Sequence, residues 1–342
     1  MSSKEFSTVE VSLGDRSYPV VVGYDLFAEI DRYVSSRYEK VAVITQAEIP
    51  WQLDLSVEFE VFTIPGGEDA KSLRVVDEVS SKLAQFGLKR NHLIVALGGG
   101  VVTDLGGFVA STYYRGMDYM NVATTLLGMV DAAIGGKTAV NLREGKNLVG
   151  SFWQPKAVFC DLETLKTLPE SQRRSGFGEM AKYSFLSSYT LQDLSLMDQV
   201  TKCIEIKAGY VASDEREGGR RALLNYGHTL GHAIEAQGFD RSLTQRLTHG
   251  EAVAVGIYFA AKLALSMDRI DETRLEEHLQ VIHGYGLNEQ LPNWIQRDSL
   301  LEYMKRDKKS TGTLTFVLDG KEGLEVVRDI SESVVQEVLS EF

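Results

Sequence analysis

The sequence predicts two domains of different class: an α/β N-terminal domain with a mainly parallel sheet over residues 1–165, and a mainly α-helical domain over 166–342. Three observations carry this. Short β-branched runs alternate with helical periodicity up to about residue 130, a triplet of glycines (Gly98, Gly99, Gly100) closes one of those runs, and after about residue 165 the runs give way to long helical patterns.

In order, the strand-like runs are VEVSL, YPVVVG, KVAVIT (40–45), VEFEVFTI (57–64) and LIVALGGG (93–100), with a helix expected over 72–86 before the last of them. Strands separated by helices imply βαβ units, and in such sheets ligands bind beyond the carboxyl ends of the strands. The glycines after LIVAL are therefore a predicted binding edge. Helices are expected over 191–213, 222–237, 251–267 and 272–285, followed by a strand-like piece at 313–318 and an amphipathic helix at 331–342. No internal repeat is found.

Hydrophobic residues at 44% and charged residues at 25% are globular proportions. Thirty-six Lys and Arg against 48 Asp and Glu leave a net charge of −12, so the surface field repels phosphate polymers and anionic lipid. Nucleic acid and membranes are not expected partners, and a phosphate-bearing ligand needs a local cluster of cations. Cys160 and Cys203 have no CxxC partner, which signals neither a disulfide framework nor a cysteine zinc site, and both are expected to be buried thiols. No signal-type apolar region opens the chain and no apolar run spans a bilayer, so a cytoplasmic location is expected.

Gly98 to Gly100, followed by Val-Val-Thr-Asp104, end a strand and open a helix, where backbone N–H groups and the helix dipole favour a pyrophosphate. The third glycine of GxGxxG is replaced by Thr103. Ile134-Gly-Gly-Lys137-Thr138 lacks the glycine of a nucleotide triphosphatase loop six residues before Lys137, where Asp131 stands. What remains is Lys137, Arg143, Lys146 and Asn147 among glycines, with Arg115 upstream: a pattern suited to an oxyanion pocket.

His228, His232 and His249 fall within 22 residues, the first two on one helical face. With a carboxylate such as Glu179 they suit a divalent metal that keeps an open position, although spacing leaves open which two histidines bind. His92, His278 and His283 are read as surface residues. Glu179 and Lys182, at i and i+3 among Phe177, Met180, Tyr183 and Phe185, are read as a partly buried pair and a functional candidate.

Together PGGEDAKSL, GGGVVTDLGGFVASTYYRG, TTLLGMVDAAIGGKTAVNLREGKNLVGSFWQP, GEMAKY, IKAGYVASDEREGGRRALLNYGHTLGHAIE, HGEAVAVG and RDKK resemble the 3-dehydroquinate synthase family within the sugar-phosphate cyclases, from about Pro65 to Lys309. The resemblance implies a Rossmann-like domain holding NAD, a helical domain holding one divalent metal (zinc, with cobalt as the alternative), and a homodimer. It implies Glu179, His228 and His249 as metal ligands and His232 as a substrate-side histidine. It places Arg115, Asp131, Lys137, Lys146, Asn147, Lys182, Lys207, Arg221, Asn225, Lys308 and Lys309 at the substrate. It assigns Glu68, Lys71, Gly99, Gly100, Val101, Asp104, Thr124, Thr125 and Thr167 to NAD, with Asp131, Lys137 and Lys146 counted there too. Gln46, Ala123, Ala139 and Ser184 depart from the family pattern; Gln46 replaces an aspartate expected at an adenosine ribose.

The implied reaction turns 3-deoxy-D-arabino-heptulosonate 7-phosphate into 3-dehydroquinate and phosphate by transient oxidation, β-elimination, reduction and intramolecular aldol closure. The alternatives are a cyclase making an amino-dehydroquinate or a cyclitol, and a glycerol-dehydrogenase-like oxidoreductase. Arg221 and Lys207 are expected at the substrate carboxylate. If the segment from Arg221 to His228 is continuously helical, the two lie on one side, seven residues apart.

Overall fold

The computed structural model describes residues 6–187, 190–238, 246–307 and 313–342. They form two units, one of residues 1–169 with 196–216 and the other of 170–195 with 217–342. The chain thus returns to the first unit for a stretch that a division at 165/166 assigns to the second.

The first unit is built on β1 (Phe6–Val11), β2 (Tyr18–Gly23), α1 (Phe27–Ser35), β3 (Lys40–Gln46), β4 (Glu58–Ile64), α2 (Leu73–Gln85), β5 (Leu93–Gly98), α3 (Gly100–Thr112), β6 (Asp118–Ala123), β7 (Lys137–Leu142), β8 (Gly145–Phe152) and β9 (Val158–Asp161). Seven strands form one sheet in the order β1-β2-β9-β6-β5-β3-β4, all pairs parallel except β1 with β2. β3 leads outward to β4, whereas β5 leads the other way to β6, so the switch point lies between β3 and β5 and the glycine turn sits at it.

The two-residue period of the strands divides the core. Val41, Val43, Leu93, Val95 and Leu97 face α1 through Leu26, Ile30 and Val34. Ala42, Ile44, Ile94 and Ala96 face α2 and α3 through Val75, Val79, Leu83, Val102, Leu105 and Val109. Covered on both faces, β5 is buried at every position, which is why it reads as a continuous apolar run. α2 begins where expected because the Ser72 hydroxyl accepts from Val75 N–H.

Residues 137–152 form an antiparallel hairpin that the sequence reading did not anticipate, having treated them as a glycine-punctuated pocket. Cys160 and Cys203 are both buried, and neither forms a disulfide.

The second unit holds α4 (Glu170–Leu186), and the excursion to the first unit follows as α5 (Leu196–Ser213). Then come α6 (His228–Gln237), α7 (His249–Ser266), α8 (Glu272–Gly284), α9 (Arg297–Asp307), a hairpin of β10 (Leu314–Leu318) and β11 (Glu325–Ile330), and α10 (Glu332–Glu341). The helix expected over 222–237 is broken. Residues 220–225 form a 3-10 helix, and Gly227 adopts φ +80° as the N-cap of α6. Arg221 and His228 therefore do not share a continuous helical face. No described helix is long and apolar enough to cross a membrane.

Candidate active site

In the second unit, Glu179 on α4, His228 at the start of α6 and His249 at the start of α7 converge, with one donor atom from each lying within 4.8 Å of the others. Glycines beside each ligand permit this. A Cβ on Gly178 would lie 2.0 Å from the Gly250 carbonyl oxygen, and one on Gly256 would lie 1.9 Å from that of Gly227. The helix backbones touch directly, so the ligands, each next to one of these glycines, are brought within reach. α7 starts sharply at His249 because Thr248 and Glu251 form a reciprocal capping box.

Oε1 of Glu179 lies 3.1 Å from Nε2 of His249 and 3.3 Å from Nε2 of His228, and its Oε2 pairs with the Lys182 ammonium. Burial opposes ionisation of Glu179, but Lys182 and the imidazoles outweigh it and hold the carboxyl well below its usual range. Burial also lowers His228. A buried carboxylate and two imidazoles, with no fourth His, Cys, Asp or Glu in the set among the described residues, suit a borderline divalent cation that retains an open position. The ring of His232 stands 5.3 Å from that of His228 but lies outside the triad. Of the three histidines, the geometry groups His228 and His249 with Glu179.

Also in the second unit, the buried Arg221 sits in the 3-10 helix, and Asn225 donates to Glu217 at 2.9 Å. Glu217, with φ +59°, is a carboxylate that the sequence reading passed over; its place four residues before Arg221 in EGGRR was the available signal. Lys308 and Lys309 lie outside the described residues.

Two histidines correct the reading. His278 is fully buried, stacked on Phe185 at 4.1 Å, with Nε2 2.8 Å from the Tyr226 hydroxyl and Nδ1 2.7 Å from the Arg274 carbonyl. His92 is buried as well, and accepts at Nδ1 from Lys89 N–H. Polar neighbours in sequence suggested surface positions, but both imidazoles are buried and hydrogen-bonded locally, His278 through both ring nitrogens and His92 through Nδ1. His283 is exposed and pairs with Glu289.

In the first unit, Gly99 is the N-cap of α3, and Gly100 and Val101 open its first turn. A Cβ on Gly99 would lie 2.8 Å from Thr125, and Thr124 N–H donates to Gly98 O, so the glycine turn and the 124–125 pair adjoin at the ends of β5 and β6. The close packing of helix on strand is made by Gly106, whose Cβ would meet Ala96 at 2.8 Å, and not at Thr103.

The Lys71 ammonium donates to Asp104 and Asn147 at 2.6 Å each, and Asn141 joins them by donating to Glu68 and accepting from Asn147 N–H. Asn141, another unanticipated member, links the loop at Glu68 to the hairpin that carries Lys137, Lys146 and Asn147. Burial raises the Asp104 carboxyl, with Lys71 opposing.

Lys207, on α5, donates to the carbonyl and carboxylate oxygens of Asp131 at 2.6 and 2.7 Å. Lys137, Lys146 and Arg115 are exposed; Arg115 follows Tyr114 in a left-handed pair before Gly116. Thr167 is engaged with Trp51 and the Thr164 carbonyl. Gln46 donates to the Pro65 carbonyl.

Residues 61–175 match the model of the 3-dehydroquinate synthase N-terminal domain, and 176–310 match that of the C-terminal domain. The chain belongs to the 3-dehydroquinate synthase family. A 3-dehydroquinate synthase from Desulforamulus reducens is 37% identical over 98% of this chain and 99% of the relative. A protein from Amycolatopsis mediterranei, provisionally named aminodehydroquinate synthase, is 43% identical over 97% of this chain and 94% of its own length. Among solved structures, a 2-deoxy-scyllo-inosose synthase complexed with carbaglucose-6-phosphate, NAD+ and Co2+ superposes with a TM-score of 0.87 at 26% identity, covering 98% of this chain and 100% of that one. The family and a fold of sheet domain plus helical domain thus agree with the sequence expectation.

Proposed function

We propose that the chain is an NAD- and divalent-metal-dependent 3-dehydroquinate synthase, converting 3-deoxy-D-arabino-heptulosonate 7-phosphate to 3-dehydroquinate and phosphate. The observation that carries this is the convergence of the buried Glu179 and His228 with the partly buried His249 in a member of this family. The donor set fits zinc or cobalt(II). The residues of the first unit fit NAD: glycine backbone at the start of α3, with Glu68, Lys71, Asp104, Thr124 and Thr125 around that strand edge. When bound, the nicotinamide supplies reversible hydride transfer and the cation supplies charge stabilisation at a substrate oxygen.

The chain's own groups bind and orient. Arg221 and Lys207 serve the substrate carboxylate, for which a guanidinium fork is suited. Lys137, Asn147, one of Lys308 and Lys309, and Arg115 of a partner copy serve the phosphate, with Lys146 beside them and Asn225 near the carboxylate. Lys182, already on the carboxylate of Glu179, and Asp131 serve ring hydroxyls, and His232 stands on the substrate side of the triad. These cations explain how an acidic chain attracts an anionic sugar.

The second reading is an aminodehydroquinate synthase, favoured by the 43% identity to the Amycolatopsis protein against 37% for the synthase from Desulforamulus. One assay tests both: phosphate release from the heptulosonate phosphate and from its amino counterpart, each with and without chelator. A higher kcat/KM on the hydroxy substrate, abolished by chelation, supports the first reading. The reverse preference selects the second, and release unaffected by chelator overturns both.

A further inference from the structure

α6 carries more than a metal ligand. His228, His232 and Glu235 fall at i, i+4 and i+7, two turns along one face. Oε2 of Glu235 lies 3.1 Å from Nδ1 of His249, while Nε2 of the same ring lies 3.1 Å from Glu179. The carboxylate therefore contacts the edge of the imidazole that faces away from the triad, which makes it a support and not a fourth ligand. His228 is held differently, with its Nδ1 3.1 Å from the uncharged carbonyl oxygen of Tyr226. It is also the more confined ring, its side chain 11% exposed against 27% for His249. Packing thus orients His228 more than it orients His249, whose ring depends on its hydrogen bond.

We propose that Glu235 is a positioning residue for the metal: it accepts the Nδ1–H of His249, fixes the tautomer that presents Nε2, and makes that nitrogen a stronger donor to a divalent cation. The inference rests on the metal-site reading above and not on which sugar phosphate is cyclised.

The test is zinc affinity of the full chain, freed of metal and titrated in competition with a chromophoric chelator, without substrate. Glu235→Gln, which keeps an acceptor and loses the charge, is expected to bind zinc about 10-fold more weakly, and Glu235→Ala about 100-fold more weakly. NAD affinity and the unfolding temperature of the metal-free protein should stay near wild type in Glu235→Gln. Cobalt(II) bound to that variant should show shifted d–d absorption bands, a signature that a merely structural role would not produce. Wild-type zinc affinity in Glu235→Gln together with an unshifted cobalt spectrum overturns the proposal, whether or not Glu235→Ala folds. Failure of the cyclase assay with these differences intact counts against the proposed reaction alone, whereas a wild-type chain that takes up no zinc removes the metal site and this inference with it.

Discussion

Among single side chains, three histidines that look alike in the sequence are separated by geometry. His228 and His249 each aim Nε2 at Glu179, and His232 does not join them. His228→Ala and His249→Ala should each lose bound zinc, read by elemental analysis, whereas His232→Ala should retain it. Retention in the first two, or loss only in the third, contradicts the ligand assignment. Arg221 is the largest fully buried side chain among the described residues, and a charge-assisted pair to a carboxylate is worth on the order of 1.5 to 3 kcal/mol. Arg221→Ala should then lower kcat/KM on the heptulosonate phosphate at least about tenfold, while zinc content stays at the wild-type level. Arg221→Lys, which keeps charge without the fork, should not restore full activity.

His278 makes a pH-dependent contribution to stability. Burial pushes its pKa down to about 4, so the folded chain keeps it neutral where an unfolded chain protonates it below about 6.5. The unfolded state binds more protons in that window. This contribution is therefore complete above about pH 6.5 and is lost as pH falls toward 4, in total about 3 kcal/mol. Urea unfolding at several pH values should show wild type losing more stability than His278→Gln across that range, and parallel losses would refute it.

Between elements, the spacing of α4, α6 and α7 is set by backbone contact at Gly178, Gly250, Gly227 and Gly256. Gly178→Ala and Gly256→Ala should each destabilise by roughly 1 to 3 kcal/mol or more, because the new methyl meets backbone that cannot rotate away. They should weaken zinc binding too, since the same spacing sets the distances between ligands. Gly209→Ala in α5, where a Cβ meets nothing within 4 Å, is the control and should be neutral or stabilising by up to about 1 kcal/mol. Thermal unfolding and chelator competition on the three variants decide this, and equal behaviour of Gly209→Ala and Gly256→Ala would sink it. Elements with a strong period were legible: α2 and α7 from their helical spacing, although the Thr248 and Glu251 capping box starts α7 two residues earlier than expected, and β5 from its unbroken apolar run. The hairpin of β7 and β8 was not, because its lysines and glycines drew attention to charge instead of to the alternation of KTAVNL before the turn at Arg143 and Glu144.

For the whole molecule, a cofactor reduced and reoxidised within each turnover should be required and not consumed. Phosphate release should stop on removal of NAD and resume on its return, with no rise in NADH absorbance. NADH accumulating in step with product would favour the dehydrogenase reading instead. By itself the sequence determined the class of each half, the glycine turn that closes β5 and the family, and it named the residues proposed for the site, since these reside in local periodicity and long ordered motifs. Tertiary structure decided what depends on partners distant in the chain. It took α5 into the first unit, where Lys207 meets Asp131, broke the helix between Arg221 and His228 at Gly227, buried His278 against Phe185, and set Glu235 behind His249. The physical reason is that burial and hydrogen-bond partners belong to packed surfaces, and a residue's sequence neighbours do not specify which surface it will meet.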